Sequence, residues 1–193
     1  MESKVLSQSI TANINSSCLF HINDSSIVVG HFYLTKLLLP LLTNGRVVNV
    51  SSIAHTFSKP ADLDYTFSKL KTHYNSWFAY GFSKLAQVYH ASELTRRYGI
   101  KAYSLHPGFI ASTNIQSRNK VFQRLIIERL NLISKTMEEG AMTSLFCALS
   151  DDAKPGHFHS DCQVKKPSEL ALDAHRAEEC WNESERLINT RTK

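Results

Sequence analysis

Glycine is scarce in this chain: seven residues in 193, the first of them Gly30. A phosphate-cradling turn at the head of an α/β domain needs closely spaced glycines running into a helix N-terminus. Residues 1–28 hold none, so that segment is expected to cradle no dinucleotide. Cysteine is equally sparse. Cys18, Cys147, Cys162 and Cys180 lie far apart with no C-x-x-C pair, which argues against a zinc ribbon or a disulfide scaffold and suits a reducing compartment. The net charge is +5, yet no dense basic run exists, so no nucleic-acid partner is expected. The longest apolar run, Leu37 to Leu42, is too short to span a bilayer and is interrupted by Pro40. The N-terminus has no signal-peptide core, so the N-x-S sequons at Asn15, Asn23, Asn49 and Asn182 carry no weight. The expected setting is intracellular, cytoplasmic and without a membrane span, with peripheral membrane association left open.

The length suits one domain with a sizeable core. Residues 1–26 are polar and aperiodic, and are expected to be poorly ordered apart from a short strand at Cys18–Ile22. From about Ile27 to Leu42 apolar residues keep helical spacing, with Gly45 placed for a left-handed cap. Residues 46–52, R-V-V-N-V-S-S, read as a buried parallel strand. Residues 53–76 lack periodicity and read as a long functional loop. A helix over 78–98 closes at Gly99, and a strand over 100–105 stops at Pro107. Helices are expected over 120–133 and over 137–149, the latter opened by a Thr136/Glu139 capping box. A last strand over 158–164 and a C-terminal helix from Pro167 to Ile188 complete an α/β order, an incomplete Rossmann-type parallel sheet with flanking helices.

One constellation carries chemistry. A carbonyl/alcohol redox step needs a group to give or take the alcohol proton, and a free tyrosine is too weak an acid at neutral pH. A nearby ammonium favours the phenolate. Tyr80 and Lys84, four residues apart on a helix, share one face. Ser52, at a strand's C-terminal end, can hydrogen-bond the substrate oxygen, and open α/β sheets bind ligands at such ends. The spacing is not unique, because Y-T-F-S-K at 65–69 repeats that of Y-G-F-S-K at 80–84. Residues after Lys84 form an amphipathic helix and those after Lys69 do not, which favours Tyr80 and leaves Tyr65 the minor candidate.

The segments GHFYLTKLLLPLL, GRVVNVSSIAH, AYGFSKLAQVYHASELTRR and YSLHPGFIAST, in this order, closely resemble the short-chain dehydrogenase/reductase superfamily, in its retinol-dehydrogenase-like branch. The C-terminal DCQVKKPSELALDAHRAEECWNESERLI resembles that branch as well. The resemblance implies Tyr80 as general acid/base, Ser52 as substrate-orienting hydroxyl, and Lys84 as ligand of the nicotinamide ribose and modulator of the tyrosine. It also implies an NADP or NAD cofactor, with Pro107 and Gly108 opening the nicotinamide-side loop. Ile110 and either Ser112 or Thr113 would lie beside the carboxamide and phosphates. The substrate implied is a small lipophilic alcohol or carbonyl such as a retinoid or aldehyde. The helices 27–43 and 78–98 match those that build the family's dimer interface, giving a homodimer or a heterodimer with a relative.

Residues 27–193 thus match the C-terminal portion of such a domain, and the glycine-rich half is missing from the pattern. Ile27 stands where relatives carry an asparagine. Strand 46–52 is expected to have an open edge. Three functional readings follow: an NAD(P)-dependent oxidoreductase, a non-catalytic truncated form that associates with a full-length relative, or an incomplete gene product. No metal is expected, because His157, His159 and Asp161 would share a strand face with no fourth ligand in range. His55 and His106 are expected to support the cleft by hydrogen bonds, and Asn49 to be structural. Tyr74, Trp77 and Phe78 either line a hydrophobic pocket or anchor the loop.

Overall fold

The computed structural model describes residues 19–59, 76–110 and 134–191. Helix α1 (Leu19–Leu38) runs into a short 3-10 turn, Leu39–Leu41, where Pro40 removes an N–H donor and ends the α ladder. Strand β1 (Arg46–Val50) is followed by a second 3-10 turn, Ile53–Phe57. Helix α2 (Ser76–Tyr98) ends at Gly99, whose φ of +65° is the left-handed cap that glycine adopts without strain. Strand β2 (Lys101–His106) and helix α3 (Met137–Leu149) come next. In α3 the Thr136/Glu139 capping box is fully made, each side chain bonded to the other residue's N–H. Strands β3 (Phe158–Ser160) and β4 (Gln163–Val164) lead to a 3-10 turn, Glu169–Leu172, and helix α4 (Ala174–Arg191).

The four strands form one open sheet in the order β1-β2-β3-β4. β1 pairs β2 in parallel from Arg46↔Lys101 to Val50↔Leu105, and β2 pairs β3 in parallel from Ser104↔Phe158 to His106↔Ser160. With helices against it, this is an α/β sheet of Rossmann-like type. Alternation along β2 sorts its residues between two cores. Ala102 joins Val28, Phe32, Leu85, Tyr89, Phe158 and Trp181 beneath α1, α2 and α4, whereas Tyr103 and Leu105 pack with Cys147 and Ala153 beneath α3. Arg46 closes α3: its guanidinium donates to the Cys147 carbonyl at 3.2 Å, to the Ser150 carbonyl at 2.5 Å and to Asp151 at 2.9 Å. These are carbonyls that a helix C-terminus leaves unpaired.

Several expectations are corrected. Residues 19–22 are helical rather than a strand. Phe20, Ile27 and Leu34 recur every seven residues, a helical period that the intervening Ser and Asn obscured. Residues 1–18 lie outside the described residues. Gly45 does not take a left-handed conformation; its N–H simply closes a turn on the Leu42 carbonyl at 3.1 Å. β1 is less buried than expected, with Val50 47% exposed, because it pairs only β2 among the described residues. The last strand is instead a hairpin: Asp161 and Cys162 both have positive φ (54° and 56°), and β4 turns back antiparallel to β3. Asp161 therefore sits in the turn and shares no strand face with His157 and His159. The helix expected over 120–133 falls outside the described residues, as do residues 60–75 of the loop expected over 53–76, whose described ends are the 3-10 turn Ile53–Phe57 and the first residue of α2, Ser76.

His90 of α2 is a buried polar group packed against the larger core. Asn49 Nδ2 approaches its Nδ1 at 3.3 Å, so Nδ1 accepts, and the protonated Nε2 is buried between Phe32 and Trp181 with no hydrogen-bond partner among the described residues. Burial, reinforced by the nearby His31, pushes its pKa down from 6.5 to about 4. Since the unfolded chain binds this proton first, the contribution is intact above pH 6.5 and lost as pH falls toward about 4. We expect His90 to contribute about 3 kcal/mol to the stability that urea titrations lose across that window. His90→Leu should make the loss smaller by about that amount, with His31 and His55, whose pKa values are also lowered, accounting for part of what remains.

Candidate active site

The C-terminal end of β1 is tied to α2 by reciprocal contacts. Lys84 donates its ammonium to the Val50 carbonyl at 3.1 Å, and Ser51 Oγ donates to the Lys84 carbonyl at 2.6 Å. Tyr80, one turn before Lys84, is 42% exposed, and the Lys84 Nζ lies 5.5 Å from its ring centroid. Burial pushes the Lys84 pKa below the usual lysine value, so the Val50 carbonyl and the tyrosine ring are what hold the charge there. Ser52 is extended and caps the following 3-10 turn, its Oγ accepting from the Ala54 N–H at 3.2 Å. That bond uses a lone pair and leaves the hydroxyl proton to donate to a substrate oxygen.

The 3-10 turn approaches α2 closely at Gly81. A Cβ on Gly81 would lie 3.0 Å from the Ala54 carbonyl oxygen and 3.3 Å from Ser58 Oγ. The sequence reading missed Gly81, although the signal was present: the competing pair at 65–69 has Thr66 in the same position. Tyr65 and Lys69 lie outside the described residues. Asn49 donates to the Gln87 carbonyl at 3.1 Å as well as to His90, a structural contact between β1 and α2. His31 of α1 accepts from Gln87 Nε2 at 3.3 Å, and its pKa is lowered by burial and by the charge on Lys84.

Pro107, Gly108 and Ile110 leave the sheet at the end of β2, beside the end of β1. Gly108 has φ +95°, and a Cβ there would meet the Lys135 side chain at 2.5 Å. Ile110 bridges Lys135 and packs over Gly140 in the first turn of α3, where a Cβ would lie 2.2 Å from Ile110 Cδ1. Lys135 in turn pairs with Asp161 of the hairpin. Ser112 and Thr113 lie outside the described residues, as does Tyr74. Among the described residues, no group of three or more His, Cys, Asp or Glu side chains could hold a metal, and no helix is long and apolar enough to cross a membrane.

No family model matches the chain. Individual relatives do. It is 40% identical to mouse (Mus musculus) retinol dehydrogenase 12 over 168 residues, which cover 83% of this chain and 52% of that protein. It is 31% identical to the chloroplastic short-chain dehydrogenase TIC 32 B of Brassica napus over 195 residues, 90% of this chain and 61% of the relative. The WW domain-containing oxidoreductase of Drosophila melanogaster is 33% identical over 169 residues, 83% of this chain and 41% of the relative. The chain thus spans about half the length of the curated relatives it matches.

Gly30 and Gly81 make a controlled pair. Both are helical, but a Cβ on Gly30 meets nothing within 4 Å. Gly30→Ala should raise stability by about 0.5–1 kcal/mol through helix propensity. Gly81→Ala should lower it by about 1 kcal/mol, because overpacking against the Ala54 carbonyl outweighs the same gain. Chemical denaturation of the two variants checks both signs.

Proposed function

From a chain that belongs to the short-chain dehydrogenase/reductase superfamily, on its retinol-dehydrogenase-like branch, we propose the proton-transferring end of an NAD(P)-dependent oxidoreductase that interconverts an alcohol and a carbonyl. The observation that carries this reading is the grouping of Tyr80, Lys84 and the Ser51–Ser52 segment around the last carbonyl of β1. The Tyr80 hydroxyl gives the proton to a carbonyl oxygen being reduced, or takes it from an alcohol being oxidised. The Lys84 charge beside the ring stabilises the phenolate that this transfer leaves. The Ser52 hydroxyl donates to the same substrate oxygen and fixes its direction. Ile53 and Phe57, which follow Ser52, and Phe78, two residues before Tyr80, are exposed apolar side chains that suit a lipophilic substrate of the retinoid or aldehyde kind.

A nicotinamide cofactor, NADP or NAD, supplies the hydride acceptor or donor when bound. Tyr80, Lys84 and the Pro107–Gly108 loop, at the ends of β1 and β2, would hold its nicotinamide end, with Ile110 following; Ser112 and Thr113 lie outside the described residues. The described residues do not fit its phosphate end. The spaces that the Cβ-less positions Gly81, Gly108 and Gly140 leave are filled by the Ala54 carbonyl, Lys135 and Ile110, so none of these glycines cradles a pyrophosphate.

A second reading is favoured by the apolar outer row of α1 and its terminal turn. Leu34, Leu37 and Leu41 are 52%, 59% and 77% exposed, a surface suited to association with a full-length relative or a second copy through the helices spanning 27–43 and 78–98. Fluorescence titration with NADPH and NADH separates the two. The oxidoreductase reading expects saturable binding, turnover of a lipophilic aldehyde, and a loss of roughly 100-fold or more in Tyr80→Phe with binding retained. Absence of binding at millimolar cofactor would sink it, and a complex with a full-length homologue would then favour the second reading.

A further inference from the structure

We infer that His55 is a positioning residue: its imidazole ties Ser52 to the C-terminal segment at Ser168, so that this segment sets where the Ser52 hydroxyl stands. His55 is 1% exposed. Its Nδ1 lies 2.6 Å from the Ser52 carbonyl oxygen, which can only accept, so Nδ1 carries the proton. Its Nε2 lies 3.1 Å from the Ser168 N–H, which can only donate, so Nε2 is bare. Both partners demand the same neutral tautomer, and each fixes the nitrogen the other needs. Burial, opposed by the bond to Ser52, holds the imidazole below its ordinary pKa. The ring also rests on Phe158 of β3, centroids 4.9 Å apart.

The Ser52 carbonyl accepts a second bond, from the His55 N–H at 3.1 Å. Its peptide plane is thereby held from two directions, which fixes the Ser52 Cα from its C-terminal side and with it the point from which the hydroxyl projects. At the other end of the tie, Ser168 opens the 3-10 turn Glu169–Leu172, its Oγ accepting from the Ala171 N–H. Within that turn the Leu170 carbonyl accepts from the Tyr89 hydroxyl of α2 at 2.7 Å. One short turn thus grips both walls of the candidate site, the Ser52 side through His55 and the Tyr80 helix through Tyr89. A residue 113 positions from His55 in sequence thus acts on Ser52 without touching it.

The catalytic meaning of this tie rests on the proposed oxidoreductase reading; the tie itself does not. The test uses the full chain and two substitutions at Ser168, whose φ of −60° a proline can adopt. Ser168→Pro removes the N–H that His55 accepts and also the hydroxyl cap; Ser168→Ala removes only the cap. We expect Ser168→Pro to speed amide hydrogen exchange at Ala54 about tenfold, the loss of one hydrogen bond. The histidine ¹⁵N spectrum should show His55 Nε2 losing its hydrogen-bond signature and the imidazole titrating at higher pH. Ser168→Ala should change neither. If the two variants are indistinguishable at Ala54 and at His55, the inference is overturned. Where wild type turns over an aldehyde, Ser168→Pro should lower kcat several-fold relative to Ser168→Ala with cofactor binding unchanged, and equal kcat values would also overturn it. A wild type without turnover defeats the oxidoreductase reading, while exchange and ¹⁵N spectra still decide the tie.

Discussion

The contact on which the molecule depends is the reciprocal pair between Lys84 and the end of β1. The Lys84 ammonium reaches the Val50 carbonyl, and the Lys84 carbonyl accepts the Ser51 hydroxyl. A charged group is thereby kept half-buried at the lip of a sheet, where water alone would otherwise be its partner. The same pair sets how closely α2 approaches the sheet. That distance brings the turn after β1 against Gly81 and aligns Asn49 with the Gln87 carbonyl and His90. Moving Lys84 would disturb the packing of a core as well as the chemistry of a tyrosine.

Around this contact the two faces of the sheet carry different loads. The α1, α2 and α4 face holds the larger core and the buried carboxylate Glu93. Burial would raise its pKa, but Arg96 and Arg97 together hold it below the usual carboxylate range. The α3 face holds a smaller core and relies on polar closure: Arg46 on the carbonyls ending α3, and Lys135 on Asp161. The outer side of α3 stays apolar and exposed at Met142, Leu145 and Leu149, next to the edge of β1.

Much of this was legible in the sequence where one local rule acted alone. The Thr136/Glu139 box, the stop at Gly99, the valine-rich strand and the Tyr80–Lys84 face each follow from short-range chemistry. Features that depend on distant partners were not legible. The left-handed pair Asp161–Cys162 contains no glycine, so nothing local announced a hairpin. Gly45 looked like a cap and is an ordinary turn residue. The need for glycine at position 81 arises from a carbonyl 27 residues away, and the roles of His55 and Tyr89 arise from a turn near the C-terminus. The family resemblance implied an open strand edge, but which helix would lie beside it required the pairing.

The parallel pairings also govern how the chain must fold. Arg46↔Lys101 and Ser104↔Phe158 each join strands about fifty residues apart, whereas the β3–β4 hairpin is the only local strand pairing among the described residues. Each long closure costs chain entropy before its contacts are rewarded. Helix α2 lies between the partners of the first closure and already carries the residues that will meet β1. It can form first on local propensity and then act as the template on which both strands condense. The geometry of the tyrosine and lysine would thus be set early, and the serine delivered to it late.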